Sequence, residues 1–173
     1  MFRPALFLAL SASVLAAAQA PAPQAAPAPA CLPATTLDQL PQALDDAISG
    51  PGDRDRTCLH QLMMPDVRLV LITRGPNGTA TTRTLTLHDW ISAMQRRGSA
   101  PMFEHQVKTR TETYGAIAHL WSTYEIRATA DGQAITRGIN SVQTIFDGQQ
   151  WRVVQVLWEA EAPTEPIPEK YLP

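Results

Sequence analysis

The sequence predicts an α+β domain: a cone-shaped, curved antiparallel sheet of four long strands plus a short hairpin, packed on three N-terminal helices. Three observations carry this. Residues 102–114, 116–128, 133–146 and 151–161 form four amphipathic runs. The breaks between them, Tyr114-Gly115, Ala130-Asp131-Gly132 and Asp147-Gly148-Gln149-Gln150, each contain the glycine that hairpins favour. The residues before them hold three helical patterns, and a long meander curls and needs its concave face filled.

The chain opens with Arg3 and an uncharged, alanine-rich apolar run over residues 5–18, short for a membrane span. Ala16-Ala17-Ala18 offers small residues at both recognition positions of a signal peptidase. Residues 1–18 are therefore expected to be a signal peptide, and the protein to be exported, periplasmic or secreted. Residues 19–35 read as a Pro/Ala-rich tether, with Pro21, Pro23, Pro27, Pro29 and Pro33 opposing helix. The domain spans 36–161. In the Pro-rich tail, 162–173, Pro163, Pro166, Pro168 and Pro173 exclude regular helix, while Ile167, Tyr171 and Leu172 offer apolar anchors. The tail is expected to be extended and partly docked.

Leu37, Leu40, Leu44, Ala47 and Ile48 repeat at helical spacing, with Thr36 and Gln39 as a candidate capping box and Gly50-Pro51 as the stop. Asp53 is the expected cap of a second helix carrying Cys58, Leu59, Leu62 and Met63, ended by Pro65. Residues 67–73 read as a strand, turned by Gly75-Pro76-Asn77-Gly78 into residues 80–87. Thr86, with Asp89 three residues on, predicts the capped third helix with an apolar stripe of Trp90, Ile91 and Met94.

The formal net charge is -2, with no basic run, which argues against nucleic acid and against an anionic membrane as partner of the mature form. No metal site is implied, because His60, His88, His105 and His119 are scattered without ligand spacing. No cofactor is implied either: Gly75 and Gly78 precede no phosphate-binding helix, and no nucleophile elbow is present. Two cysteines in an exported chain, Cys31 and Cys58, are expected to form a disulfide.

Several stretches carry a resemblance. They are Ala118-His119-Leu120-Trp121-Ser122-Thr123-Tyr124-Glu125, Arg137-Gly138-Ile139-Asn140-Ser141-Val142-Gln143 and Gly148-Gln149-Gln150-Trp151-Arg152-Val153-Val154. With the order of elements, they resemble the nuclear transport factor 2-like superfamily in its SnoaL-like branch. That family's cone is shared with polyketide cyclases, ketosteroid isomerases and scytalone dehydratase. The resemblance implies a pocketed fold and not one function. Its isomerases and cyclases aim an acid, commonly Asp, into the pocket. Here the Asp residues after the third helix, Asp131 and Asp147, both fall in turns.

Strand alternation places Phe103, His105, Val107 and Thr109 on one face. A tight turn at Gly115 pairs them with the face of Ala118, Leu120, Ser122 and Tyr124. Carried across the next turns, alternation puts Arg137, Ser141 and Gln143 inside, then Val154, Val156 and Trp158. The expected pocket holds His105 and Tyr124 as a catalytic pair, Ser122, Arg137 and Gln143 as ligand contacts, and Trp90 and Trp158 as walls. Imidazole beside phenol can move protons near neutrality. Lys108, Arg110, His119, Trp121 and Glu125 fall on the outer face, a candidate homodimer interface. The sequence thus predicts an exported protein binding a small, largely apolar molecule. The alternatives are an isomerase-, cyclase- or dehydratase-type enzyme using His105 and Tyr124, or a partner-binding module with no ligand.

Overall fold

A computed structural model describes residues 30–173; the expected signal peptide and most of the tether lie outside the described residues. The chain runs α1 (Gln39–Ile48), β1 (Gly50–Pro51), α2 (Thr57–Leu62), β2 (Met63–Arg74), β3 (Ala80–Leu85), α3 (Leu87–Gln95), β4 (Pro101–Tyr114), β5 (Ile117–Arg127), β6 (Ala134–Phe146) and β7 (Trp151–Ala160). The α+β class and the curved sheet on three helices match expectation. The detail of four long strands plus a short hairpin does not. All seven strands form one sheet, in the order β1-β4-β5-β6-β7-β2-β3. It is antiparallel except where β2 runs parallel to β7.

β2 starts earlier than expected. Pro65 ends no helix but lies in the unpaired stretch between Met63 and Arg68, where its missing N–H costs no ladder bond. The helix caps also differ in detail. The Gln39 side-chain oxygen accepts from the N–H groups of Thr35 and Thr36 at 3.0 and 3.2 Å. Asp55, not Asp53, receives the Thr57 N–H at 2.7 Å. The α3 capping box is present as read: Thr86 Oγ1 accepts from Asp89 N at 3.1 Å, and Asp89 Oδ2 accepts from Thr86 N at 3.0 Å.

The core sits in the concave face. Leu40, Leu44 and Ala47 of α1 and Leu59 and Leu62 of α2 pack with Leu120, Val142 and Val153 of the sheet. Gly52 lets the turn after β1 nest on the end of α3; a Cβ there would lie 2.3 Å from the Met94 carbonyl oxygen. Cys31 and Cys58 are bridged, with Cα atoms 5.3 Å apart. The bridge pins the chain before α1 to α2.

The tail docks on the convex face of the sheet. Ile167 is buried, and Tyr171 packs on Trp121 with ring centroids 5.7 Å apart. Thr123 Oγ1 donates to the Tyr171 carbonyl at 2.5 Å, and Lys108 Nζ donates to the Leu172 carbonyl. One 3₁₀ turn, Glu169–Tyr171, interrupts an otherwise irregular path.

Two outcomes follow. Denatured, non-reduced protein from an oxidising compartment should titrate with no free thiol. Cys58→Ser should cost about 3–4 kcal/mol in chemical denaturation, the chain-entropy value for a loop of this length; finding two free thiols would remove the bridge. Deleting residues 165–173 should lower the melting temperature and red-shift the tryptophan emission as Trp121 is uncovered. An unchanged melt and spectrum would make the tail a free end.

Candidate functional site

The concave side of the sheet holds a half-open cavity of ≈ 230 Å³. Its walls are apolar: Ile48 of α1, Leu59 of α2, Met63 and Leu69 of β2, Trp90 and Met94 of α3, Met102 of β4, Ile126 of β5, and Val156 and Trp158 of β7. Glu104 and Tyr124 bring oxygen to it. Both expected tryptophan walls and the expected tyrosine therefore line one space. Ser122 lies deeper, buried, where it meets Thr109 Oγ1 at 2.7 Å and borders a cleft of ≈ 30 Å³.

His105, Arg137 and Gln143 are not in the cavity. From Tyr114 to Lys108 the ladder pairs as expected, with Thr109 opposite Ser122. Val107 then has no partner, and the register resumes with Gln106 opposite Tyr124 and His105 opposite Glu125. This bulge exchanges the faces of the first half of β4. His105 turns to the convex side, where Nε2 lies 3.2 Å from the Ala130 carbonyl oxygen. Glu104 turns inward in its place.

A second extra residue, Ile135, lies between the Arg127–Ala134 and Ile126–Thr136 pairs. It sends Arg137 outward to an ion pair with Glu161 and leaves Gln143 exposed. Gly138, Asn140 and Val142 take the inward positions. A third, Val154, lies between the Gln143–Gln155 and Thr144–Val153 pairs. Val154 faces out and Val153 is buried, while Val156 and Trp158 face inward as read. The slip at Ile135 and the slip at Val154 cancel, which is why Trp158 was placed correctly.

Glu104 is held by neutral donors. Gln106 Nε2 donates to its Oε1 at 2.8 Å, and Asn140 Nδ2 donates to the same oxygen at 3.1 Å. Glu104 is only half-buried by accessible surface, yet its carboxyl sits deep in the wall. Desolvation raises its pKa from 4.5 to about 7, against the pull of the Asn140 and Gln106 hydrogen bonds. A second acid stands behind it on α1. Asp45 Oδ2 accepts the Gln106 backbone N–H at 2.8 Å, while Oδ1 is buried with no partner among the described residues. Burial raises the Asp45 pKa from 3.8 to about 7, opposed by the Gln106 backbone bond and helped by the Glu104 charge. The Tyr124 phenol is pushed above its ordinary value, by burial first and then by Glu104 and Glu159.

Gly138 makes room for this tyrosine, since a Cβ there would lie 2.6 Å from the Tyr124 hydroxyl and 2.2 Å from the Glu159 carbonyl oxygen. Ser49 ties α1 to the same strand: its Oγ receives the Glu104 backbone N–H at 2.9 Å. Among the described residues, no three His, Cys, Asp or Glu side chains converge as a metal site would require.

No protein-family model and no curated protein matches the chain in sequence. Solved structures match in shape. The CaMKII hub of S. rosetta has a TM-score of 0.55 at 15% identity, over 79% of this chain and 100% of that one. An NTF-2 like protein of unknown function from Silicibacter pomeroyi has a TM-score of 0.51 at 17% identity, over 72% and 92%. The fold is nuclear transport factor 2-like. A protein of unknown function with a cystatin-like fold, from Nostoc punctiforme, reaches 0.50 at 13% identity over 76% and 97%. At such identities the likeness carries the fold alone. Within the nuclear transport factor 2-like cone of this chain, the acid facing the cavity is Glu104, and sequence reasoning missed it because only Asp was sought and the Val107 bulge was not foreseen.

Both raised carboxyls bind protons in the folded chain where the unfolded chain has lost them. Their contribution to stability is full below about pH 4 and is lost as pH rises through about 7. Urea melts should show the protein less stable at pH 8 than at pH 5. Glu104→Gln should flatten that fall, by about 3 kcal/mol at most. A wild-type stability that rises over this window would show that these two acids do not dominate it.

Proposed function

We propose that this chain binds a small, largely apolar molecule in the cavity of its cone, with Glu104 and Tyr124 as the polar contacts and Trp90 and Trp158 as walls. The observation that carries the reading is the ≈ 230 Å³ space with apolar walls and only those two oxygen-bearing side chains. An apolar cavity of about 150 Å³ admits benzene, so this one takes an aromatic ring with a short substituent. The open space counts against a filled core with no ligand.

A second reading, acid–base catalysis of isomerase, cyclase or dehydratase type, is favoured by one observation. The Glu104 carboxyl has a pKa near 7, where it exchanges protons readily at neutrality, and Tyr124 lines the same cavity. His105 no longer belongs to this reading, and the proton-transfer role passes to Glu104.

The disulfide supports export to the periplasm or beyond, and no helix among the described residues is long and apolar enough to cross a membrane. The proposed homodimer would use the part of the convex face that the tail leaves open, around Tyr114 and Ile117, which are exposed. The hub similarity is compatible with such assembly.

Intrinsic fluorescence titration with indole or toluene should saturate at sub-millimolar concentration and raise the melting temperature as mass action requires. Met102→Trp, which fills the cavity, should abolish saturation while unfolding stays cooperative. Absence of saturable binding by fluorescence and calorimetry would end the binding reading.

A further inference from the structure

We infer that the ligand of this cavity is a small aromatic or alkyl amine, bound as its ammonium ion with the nitrogen on Glu104 and the apolar body between the indoles. This deepens the proposed binding function and rests on it. Three features of the site carry the inference.

The first is how the carboxyl of Glu104 is used. Both neutral donors, Gln106 Nε2 and Asn140 Nδ2, reach Oε1. Among the described residues no donor reaches Oε2, and it is not one of the buried atoms sealed off without a partner. Glu104 lines the cavity, so the free oxygen is open to a guest. A carboxylate taken this far out of water is costly unless a donor, best a cationic one, completes it.

The second is the sign of the surroundings. No Lys, Arg or His is among the residues lining the cavity. The ionisable groups facing Glu104 are Asp45 from α1 and Tyr124 from β5, with Glu159 of β7 acting on that tyrosine. All of them are neutral or negative, and none supplies the missing charge. An anionic guest placed on Glu104 would meet no cation among these groups.

The third is the walls. Ring faces of tryptophan attract cations. The Trp90 ring already has the guanidinium of Arg56 at 5.8 Å from its centroid. Among the described residues no cation lies over Trp158, which is the ring left for the guest. Desolvation holds Glu104 near neutrality in pKa; an ammonium would pull it down and displace its proton. Binding should therefore release protons at pH 6 and strengthen toward pH 8.

The test is a matched probe series measured by calorimetry on the disulfide-bonded chain: 2-phenylethylamine, 2-phenylethanol, propylbenzene and phenylacetate. At pH 8 the amine should bind at least about tenfold more tightly than the alcohol or the hydrocarbon, with phenylacetate weakest. At pH 6 its advantage should shrink, with proton release read from buffers of different ionisation heat. Glu104→Gln should bring the amine-to-alcohol ratio below about threefold. If that variant does not fold, the wild-type series and its pH dependence still decide the question. An amine that binds no better than the alcohol or propylbenzene overturns this inference and leaves the apolar-binding reading standing. If none of the four probes binds, the apolar-binding reading fails, and this inference with it.

Discussion

The unpaired residue Val107 governs what the inside of the cone contains. On its hairpin side, β4 presents Thr109 to the core, next to Ser122. Beyond the bulge the same strand presents Gln106, Glu104 and Met102. Without the extra residue, the inner wall would carry His105 and Phe103, and Glu104 would lie in water. The bulge also aligns the Glu104 backbone with Ser49 and the Gln106 backbone with Asp45. The end of α1 is thus stitched to the strand at the level of the cavity. A single residue that breaks a ladder therefore sets the acid, its neutral donors and the position of the helix that covers them.

That dependence explains which parts of the protein were legible in the sequence. The helices were readable because capping and 3.6-residue periodicity are local: Thr86 and Asp89 met as read. The disulfide was readable because two cysteines in a chain expected to be exported leave one pairing. The existence of the long strands and their turns was equally local. Facing was not. Alternation is a parity argument, and Val107, Ile135 and Val154 each invert it. All three are β-branched residues in runs of ordinary strand residues, so composition does not mark them. Tyr124 and Ser122 were placed correctly because the turn at Gly115 and the ladder beside it are regular. Trp158 was placed correctly only because two inversions cancel. Glu104 was within reach by another route: the family resemblance implied an acid in the pocket, and Glu serves as well as Asp.

The interior balances two demands. Most of the concave face is filled by leucine and alanine from α1 and α2, which supplies the hydrophobic stabilisation. The polar strip of Asp45, Gln106, Glu104 and Asn140 opposes it, since it holds two carboxyls with no cation among the groups that face them. Arg56 is the reverse case, a buried guanidinium whose Nε and Nη1 have no partner among the described residues, lying against Trp90. Interiors retain such groups at a cost in stability, and here they border or back the cavity, where a site would use them.

The docked tail fixes where the end of the chain leaves the protein. Lys108 and Thr123 hold the Leu172 and Tyr171 carbonyls on the convex side, while the cavity lies on the concave side. A reporter or surface linker joined at Pro173 would therefore start on the convex side, with the sheet between it and the cavity.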